Sequence, residues 1–146
     1  MRAVVQRVKG VTLKVNGELI SEIPYGLIVY FGVKVGDTLD KADYLAAKIA
    51  KLRVFEDENG KMNKSVLDVG GEIMSVSQFT LYGNTSHGRR PDFMEAEFPD
   101  RANELYELFI EKAKQSGLKV QTGIFGADMK VELLNNGPVT LIVESK

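Results

Sequence analysis

The polar segment most suited to chemistry lies at residues 77–81, which read Ser-Gln-Phe-Thr-Leu. Imperfect alternation of apolar side chains predicts a strand over Glu72–Leu81, and this segment forms its end. A strand end that presents Ser77, Gln78 and Thr80 with backbone N–H groups is suited to bind a carbonyl oxygen or an oxyanion. An edge strand with one solvated face would explain the same pattern without any chemistry.

A second segment, residues 135–140, reads Asn-Asn-Gly-Pro-Val-Thr. Asn-Gly ordinarily marks a hairpin turn, and Pro138 can begin the next strand without its missing N–H. We therefore predict a turn at residues 135–138 between two strands. Among peptide bonds, only those before proline have appreciable access to the cis geometry. A cis bond between Gly137 and Pro138 would point two carbonyl oxygens the same way, beside a residue without a side chain.

Most of the ordinary catalytic machinery is missing from the sequence. The absence of Cys excludes a disulfide framework, a thiolate nucleophile and a Cys-ligated metal site. The single histidine, His87, excludes a multi-histidine metal site. No Gly-x-Ser-x-Gly segment is present, and the spacing of the carboxylates indicates neither an acid–base pair nor a metal cage. We expect no metal and no cofactor, so an enzyme of this sequence must rely on backbone groups or on its substrate.

The polar loop predicted at residues 83–92 contains a basic pair, Arg89 and Arg90. Its glycine spacing half resembles a phosphate-binding loop but lacks the Lys-Ser/Thr pair that holds phosphate and magnesium. The two guanidinium groups could meet phosphates through forked hydrogen bonds, or they could form a solvated surface pair. The formal net charge of −1 adds no global attraction to nucleic acid.

Length and composition indicate one folded unit. The 146 residues include 44% apolar and 27% charged side chains, which is ordinary for a globular protein and excludes a disordered chain. We expect a single domain over residues 1–146. No apolar run approaches about 18 residues, and the N-terminus lacks the apolar centre of a signal peptide. These features predict a cytoplasmic protein without a membrane segment.

The predicted elements follow the order strands, helix, strands, helix, strands. This order indicates the α+β class, with a largely antiparallel sheet or open barrel and two main helices packed on it. The run at 26–33 is continuously apolar and predicts a strand buried on both faces. The other predicted strands cover 2–15, 18–23, 54–56, 62–63, 72–81, 118–121, 129–134 and 139–143, while one helix covers 38–53 and the second begins at Pro99.

Turn and capping residues refine these elements. Asn16-Gly17 predicts a type I′ hairpin turn, and Gly10 predicts a bulge in the long first strand. Asp37 or Thr38 is expected to cap the first helix, and Asp100 is expected to cap the second.

Residues 77–81 and 135–140 together resemble the paired signatures of the D-aminoacyl-tRNA deacylase family. The first segment matches the family's Ser-Gln-Phe-Thr motif at every position, and the second matches its Gly-cis-Pro motif at every position. The likeness extends to the start of the chain at 1–7, to Gly-Arg-Arg-Pro-x-Phe at 88–93 and to Phe-Gly-Ala-Asp-Met at 125–129. It implies a homodimeric hydrolase that cleaves the ester between a D-amino acid and the 3′ end of tRNA.

The resemblance also implies a role for each matched segment. In the family, the Gly-cis-Pro dipeptide of one subunit enters the active site of the other and rejects L-aminoacyl esters. Arg7 is expected to steady this dipeptide. The remaining assignments are Gly137 and Pro138 for chiral rejection, Ser77, Gln78, Phe79 and Thr80 for catalysis, and Phe125 and Met129 for the adenosine pocket. Since a tRNA must also be held by its backbone, the candidate phosphate contacts are Lys61, Lys64, Arg89 and Arg90.

This assignment carries two expectations about chemistry. Rigid carbonyls that block the L side-chain direction need no pocket for each D side chain, and they should admit glycyl-tRNA because glycine has no side chain to block. Thr80 is the one hydroxyl that the motif places as a nucleophile, but nothing in the sequence supplies its base. We therefore favour attack by water, assisted by the terminal ribose hydroxyl of the tRNA.

Two other functions stay open from the residues alone. A non-enzymatic RNA-binding dimer would place Arg89 and Arg90 on phosphates and pair residues 77–81 at the dimer edge. A small-molecule hydrolase would use His87 as its base. Hydrolysis of D-tyrosyl-tRNA separates the enzyme from the first alternative, and an almost silent His87→Ala substitution would argue against the second.

Overall fold

The computed structural model describes residues 1–146. Two α-helices lie between strands, and a 3₁₀ turn at Phe79–Tyr82 follows the sixth strand. The helices are α1 (Leu39–Ala50) and α2 (Pro99–Gln115). The strands are β1 (Arg2–Val15), β2 (Glu18–Ile23), β3 (Gly26–Gly32), β4 (Phe55–Glu56), β5 (Met62–Lys64), β6 (Glu72–Ser77), β7 (Val120–Thr122) and β8 (Met129–Glu144).

The main sheet is built around β1. One edge of β1 pairs antiparallel with β3 and then with β2, and its other edge pairs antiparallel with β8. From β3 the sheet continues in parallel through β6 to β7. The Ser21 hydroxyl of β2 donates a hydrogen bond to the Thr122 carbonyl of β7, which brings the two ends together. The predicted α+β class, with a barrel-like sheet and two helices, is confirmed, and the sheet is partly parallel.

Apolar side chains fill both faces of the sheet. The larger core lies between the sheet and the two helices, and Leu27, Val29 and Phe31 enter it from β3. A smaller core lies on the opposite face and receives Ile28 from the same strand. Because successive strand residues point to opposite faces, β3 contributes to both cores. The predicted strand buried on both faces is therefore confirmed.

Two glycine-dependent features of β1 also match the predictions. Gly10 has a φ of 107°, and the pairing of β1 with β8 slips between Val8 and Val11, which is a bulge. Beyond β1, Asn16 and Gly17 have φ values of 52° and 77°. Positive φ at both central residues is what a type I′ turn requires, and it feeds β1 directly into β2.

The helix boundaries differ from the predictions. Helix α1 ends at Ala50 rather than at residue 53, and Thr38 occupies its cap position without a capping side-chain hydrogen bond. Asp37 instead pairs with the Met1 ammonium group at 2.6 Å. Helix α2 begins at Pro99 as predicted, but the expected Asp100 cap is wrong, because Phe98 occupies the cap position and Asp100 lies within the first turn. Proline suits this first helical position, since its fixed φ is helical and its missing N–H would be unpaired there.

Strand β6 is shorter than predicted. It ends at Ser77, and the chain then forms the 3₁₀ turn instead of continuing as a strand to Leu81. The last ladder contact is the hydrogen bond from Gln78 N to Phe31 O at 2.8 Å. The neighbouring strand β3 ends at Gly32, so residues after Gln78 have no strand on that side with which to pair. The chain instead turns across Gly32, where a side chain would meet Gln78 and Leu81.

The predicted turn at residues 135–138 is wrong. Strand β8 is continuous from Met129 to Glu144, and both of its halves pair antiparallel with β1 rather than with each other. Asn135 lies opposite Val8 and Thr140 lies opposite Gln6, so residues 136–139 bulge out beside Arg7. Neither Asn136 nor Gly137 has the positive φ that a type I′ turn needs, although both residue types match its signature.

Candidate active site

A cleft of about 590 Å³ opens where the parallel strands β3 and β6 end. Phe31 and Val76 form part of its floor. Its walls come from the start of α2 and from the connection between β7 and β8. The open end of two parallel strands is a common place for a ligand, because the loops that follow the strands diverge there.

Three residues of the predicted catalytic segment line this cleft: Ser77, Gln78 and Phe79. The first hydrogen bond of the 3₁₀ turn runs from Leu81 N to Gln78 O at 3.3 Å. The N–H groups of Phe79 and Thr80 precede this bond, so the turn itself does not use them. Backbone N–H groups at such a turn are suitable donors to an oxyanion.

Thr80 is exposed and lies outside the residues that line the cleft. Its hydroxyl accepts a hydrogen bond from the Gln78 side-chain amide. An amide N–H donates and cannot take a proton from the hydroxyl. The geometry therefore supplies no base that would activate Thr80.

Arg2 holds the 3₁₀ turn in place. Its Nη1 donates to the Leu81 carbonyl at 3.1 Å, and its guanidinium lies 5.0 Å from the centre of the Tyr82 ring. The Arg2 Nε donates to the Glu144 carboxylate at 2.7 Å, which anchors the arginine to the end of β8. The catalytic segment is thus tied to both β1 and β8. Nothing in the sequence around Arg2 signals this role, because its partners lie far along the chain, at Leu81 and Glu144.

Tyr106 of α2 also lines the cleft, although its position on the apolar face of the helix gives no signal of this in the sequence. Its hydroxyl donates to the Ser75 carbonyl at 2.8 Å, and burial raises the pKa of Tyr106 to about 12. A phenol with this pKa stays neutral near pH 7 and does not act as a base there. The charged side chains that line the cleft are two carboxylates, Glu97 and Asp128.

Phe125 and Met129 line the same cleft as Ser77 and Phe79. The structure therefore brings the residues assigned to the adenosine pocket together with three of the four assigned to catalysis. Phe125 lies 6.4 Å from Tyr106 between ring centroids, and Met129 begins β8. Their roles stay predictions.

Gly137 and Pro138 do not line the cleft of their own chain. Both residues are exposed, and the peptide bond between them is cis. The Asn135 side chain ties the two ends of their bulge, because its Nδ2 donates to Arg7 O at 3.0 Å and to Val139 O at 3.2 Å. The bulge therefore presents an exposed dipeptide from a fixed base.

Arg7 is the buried residue behind this bulge, with only 4% of its surface exposed. Its Nε donates to the Asn136 carbonyl at 3.1 Å and its Nη2 donates to the Gly137 carbonyl at 3.1 Å. A third bond runs from Nη1 to the Val54 carbonyl at 2.7 Å. The fork of N–H groups on a guanidinium fits several acceptors at once, so one side chain fixes two carbonyls of the bulge.

The basic residues assigned to phosphate contacts are not gathered at the cleft. Arg89 and Arg90 are exposed in a loop that the Asn84–Asp92 backbone pair closes. Lys64 pairs with Glu58 at 2.8 Å, and Lys61 is exposed on the same β4–β5 hairpin. None of these four residues lines the cleft.

His87 is exposed in the same loop as Arg89 and lies outside the cleft. It is therefore not placed against Ser77 as a catalytic base. No three His, Asp or Glu side chains come together in an arrangement that could hold a metal ion. Neither helix is long and apolar enough to cross a membrane.

A family model described as "D-Tyr-tRNA(Tyr) deacylase" matches residues 4–144. The chain belongs to this family. A relative from Geobacillus sp. (strain WCH70), named "D-aminoacyl-tRNA deacylase", is 61% identical over 100% of this chain and 96% of its own length.

Two solved structures share the fold across nearly the whole chain. One, described as "c-Myc DNA Unwinding Element Binding Protein", is 43% identical, with a TM-score of 0.93 over 100% of this chain and 99% of that chain. The other, described as "Structural Analysis of a probable eukaryotic D-amino acid tRNA deacylase", is 17% identical, with a TM-score of 0.86 over 98% of both chains. At that identity the second structure supports the fold alone.

Proposed function

We propose that this chain hydrolyses the ester between a D-amino acid and the 3′ end of a tRNA. The observation that carries the proposal is the shared cleft, which is lined both by Ser77, Gln78 and Phe79 and by Phe125 and Met129. The family to which the chain belongs and the name of its 61% identical relative, a D-aminoacyl-tRNA deacylase, support a D-aminoacyl-tRNA as the substrate. Because charged tRNA is the substrate, we place the protein in the cytoplasm.

The chiral selection that we propose requires a second copy of the chain. Gly137 and Pro138 are exposed and do not line their own cleft, so only another subunit can bring them to it. Apolar Leu134 and Ile142 are exposed on either side of this dipeptide, on strand β8, which pairs only with β1. Exposed apolar side chains beside an unpaired strand edge are suited to a contact between copies. We propose a homodimer in which each copy completes the site of the other.

Chiral rejection then rests on main-chain carbonyls. Arg7 fixes the carbonyls of Asn136 and Gly137, so their positions do not yield to an incoming side chain. An L side chain directed at them would clash, whereas a D side chain would point away. The same carbonyl oxygens could accept hydrogen bonds from the substrate's α-ammonium group. Glycyl-tRNA should pass this filter because it has no side chain to reject.

For the chemical step, we propose that water attacks the ester carbonyl. The N–H groups of Phe79 and Thr80 would stabilise the oxyanion, and the neighbouring ribose hydroxyl of the tRNA would assist proton transfer. The electron pair of the broken ester bond leaves with the ribose oxygen, and the products are a free D-amino acid and tRNA. No side chain needs to become covalently bonded to the substrate.

A Thr80→Ala variant should retain deacylation within about tenfold of the native rate, because the Thr80 hydroxyl is not the nucleophile and only its N–H is used. Rates are to be measured in single turnover with D-tyrosyl-tRNA. A matched Gln78→Ala variant tests whether the Gln78–Thr80 hydrogen bond itself matters. Near-complete loss in Thr80→Ala, together with an acyl-enzyme trapped from the native protein, would contradict water attack.

Phosphate contacts are proposed to be few. The candidates are Arg89, Arg90, Lys61 and Lys64, and Lys64 already pairs with Glu58. Each phosphate contact steepens the salt dependence of binding by about one unit of log–log slope. A shallow slope is expected, which would suit an enzyme that accepts many tRNAs.

The deciding experiment incubates the purified protein with D-tyrosyl-tRNA, L-tyrosyl-tRNA and glycyl-tRNA. We expect hydrolysis of the D-tyrosyl and glycyl esters and survival of the L-tyrosyl ester. An intact glycyl ester beside a cleaved D-tyrosyl ester would show that rejection is not purely steric. Binding of the tRNA without any hydrolysis would favour the alternative of a non-enzymatic nucleic-acid-binding protein. The name of the 43% identical structure describes that protein as binding DNA.

A further inference from the structure

Exposed aromatic rings form one rim of the cleft. Phe98 is 74% exposed and Phe79 is 58% exposed, and both residues line the cleft together with Phe93. The rings of Phe79 and Phe93 meet edge to face, with 5.1 Å between their centroids. Phenylalanine is usually buried, so three partly exposed rings around one opening indicate a surface that a ligand covers.

Phe98 is held rigidly although its ring is exposed. It occupies the cap position of α2, where its carbonyl accepts a hydrogen bond from Ala102 N at 2.9 Å. Its N–H donates to the Glu97 carboxylate at 2.9 Å, and that carboxylate also accepts from Gly36 N at 3.2 Å. The backbone is therefore fixed by its neighbours, while most of the ring lies free at the cleft.

A loop that contains two arginines ends directly before one of these rings, Phe93. The backbones of Asn84 and Asp92 pair through hydrogen bonds of 2.8 Å and 3.0 Å, closing a loop that contains Arg89 and Arg90. Phe93 follows the end of this loop. Neither arginine forms an ion pair within the chain, so both guanidinium groups are free to meet an anion.

Aromatic faces next to guanidinium groups are the combination that binds single-stranded nucleic acid, because bases stack on the rings and phosphates pair with the cations. Resting on the function proposed above, we propose that Phe98 stacks an unpaired base of the tRNA 3′ end adjacent to the esterified nucleotide. In this arrangement the cleft holds the terminal nucleotide, the rim formed by Phe79, Phe93 and Phe98 holds the bases before it, and Arg89 and Arg90 meet their phosphates.

The occupant is RNA rather than a second copy of the chain for two reasons. The aromatic rim is continuous with the cleft in which the tRNA end is proposed to react. In the proposed dimer the second copy reaches the cleft through its Gly137–Pro138 dipeptide, whereas the apolar residues proposed for the rest of the contact, Leu134 and Ile142, lie on β8 and do not line the cleft. A ring covered by a second copy is nevertheless an outcome that the experiment must separate.

The experiment compares Phe98→Ala with the native protein on two substrates, D-tyrosyl-tRNA and the minimal ester D-tyrosyl-adenosine. We expect kcat/KM for the tRNA to fall about tenfold through a rise in KM, because one base loses its stacking partner. The kcat/KM for D-tyrosyl-adenosine should change less than about twofold, since this substrate has no preceding base. A Phe98→Trp variant should cleave the tRNA substrate as the native protein does, because it keeps an aromatic face at this position.

Met94→Ala is the matched control. Met94 is also apolar and is 84% exposed on the same segment, but it does not line the cleft. Its removal should leave both substrates unaffected. A second measurement compares binding of the uncharged trinucleotide CCA with binding of adenosine. We expect the native protein to bind CCA more tightly, and Phe98→Ala to lose most of that advantage.

The possible contrary results are distinct. An equal fall in kcat/KM on both substrates would mean that Phe98 supports the cleft itself and would overturn the stacking role. The stacking role would also be overturned if Phe98→Ala lost no activity on either substrate, or if the native protein bound CCA no more tightly than adenosine. A fall in tRNA cleavage accompanied by dissociation of a dimer in sedimentation would assign the ring to a contact between copies. Failure of the native protein to cleave either D-tyrosyl ester would instead overturn the proposed function.

Discussion

Replacing Gly137 with alanine is expected to lower D-tyrosyl-tRNA hydrolysis by about 100-fold or more while leaving the melting temperature unchanged. A Cβ atom built on Gly137 meets no atom within 4 Å, and the residue is exposed, so the chain itself has room for the methyl group. The proposed function places that methyl group in the active site of the other subunit. A displacement of about 1 Å in a reacting group is enough to cost a factor of this size.

Mixed dimers test whether the effect acts between subunits. A Gly137→Ala chain keeps its own cleft, and a Gln78→Ala chain keeps its own Gly137–Pro138 dipeptide. Mixing the two in equal amounts should restore about a quarter of native activity, because half of the dimers are mixed and each has one complete site of two. Gln78 lines the cleft and is assigned to catalysis, so Gln78→Ala alone should be deficient, as Gly137→Ala is, and each parent variant measured alone gives the baseline. The absence of any rescue would contradict a site shared across the dimer.

Removing the guanidinium of Arg7 is the second change with a large expected effect. In Arg7→Met the Val54 carbonyl loses its donor at a buried position, and the carbonyls of Asn136 and Gly137 lose theirs at a partly buried one. Unpaired buried acceptors are costly, and we expect the free energy of unfolding to fall by about 3 kcal/mol. Deacylation should fall about 100-fold, because the two carbonyls of the bulge are no longer fixed.

Arg7→Lys separates charge from geometry. A lysine ammonium keeps the positive charge, but its compact head cannot present the planar fork that reaches three carbonyls. We expect smaller destabilisation than in Arg7→Met with a similar loss of activity. Urea denaturation and single-turnover hydrolysis measure the two effects.

The control for both substitutions is Arg53→Met. Arg53 is an exposed arginine whose hydrogen bonds go to Asn63, so the change in unfolding free energy should stay below about 0.5 kcal/mol. Native activity in Arg7→Met would refute the supporting role of Arg7.

Local signals predicted the first half of the sheet well. Gly10 and Asn16-Gly17 control the backbone through their own φ angles, and the bulge and the hairpin appear where these residues stand. The continuous apolar run of β3 likewise predicted that this strand is buried on both faces, between the two cores. In each case the cause lies within a few residues of the effect.

The errors arise where distant pairing decides the outcome. Asn-Gly occurs at 16–17, 59–60 and 136–137. The first two pairs lie in turns that join antiparallel strands, but the third does not. This third pair lies opposite Arg7, where β1 continues on both sides and keeps the two halves of β8 in line. Strand β6 stops at Ser77 because β3 stops beside it, and nothing in residues 78–81 signals that.

The candidate site was predictable in its motifs but not in its surroundings. The segment at 77–79, Phe125 and Met129 came from the resemblance, and the structure places them in one cleft. Tyr106 and Phe98 were missed, because a tyrosine in an apolar helix face and a phenylalanine before a proline look like ordinary core residues. The parallel pairing of β3 with β6, which opens the cleft, is not encoded in the pattern of either strand.

The bulge in β8 has a consequence for which sequence changes the fold can accept. Thr140–Glu144 lie in register with Gln6–Arg2 only because residues 136–139 take up a fixed length of chain. Deleting or inserting one residue there would slide the C-terminal segment by one position and exchange its inward and outward faces. Val139, now buried in the larger core, would lose its place to a neighbour. A substitution at exposed Gly137 can therefore be tolerated by the fold, whereas insertions and deletions cannot.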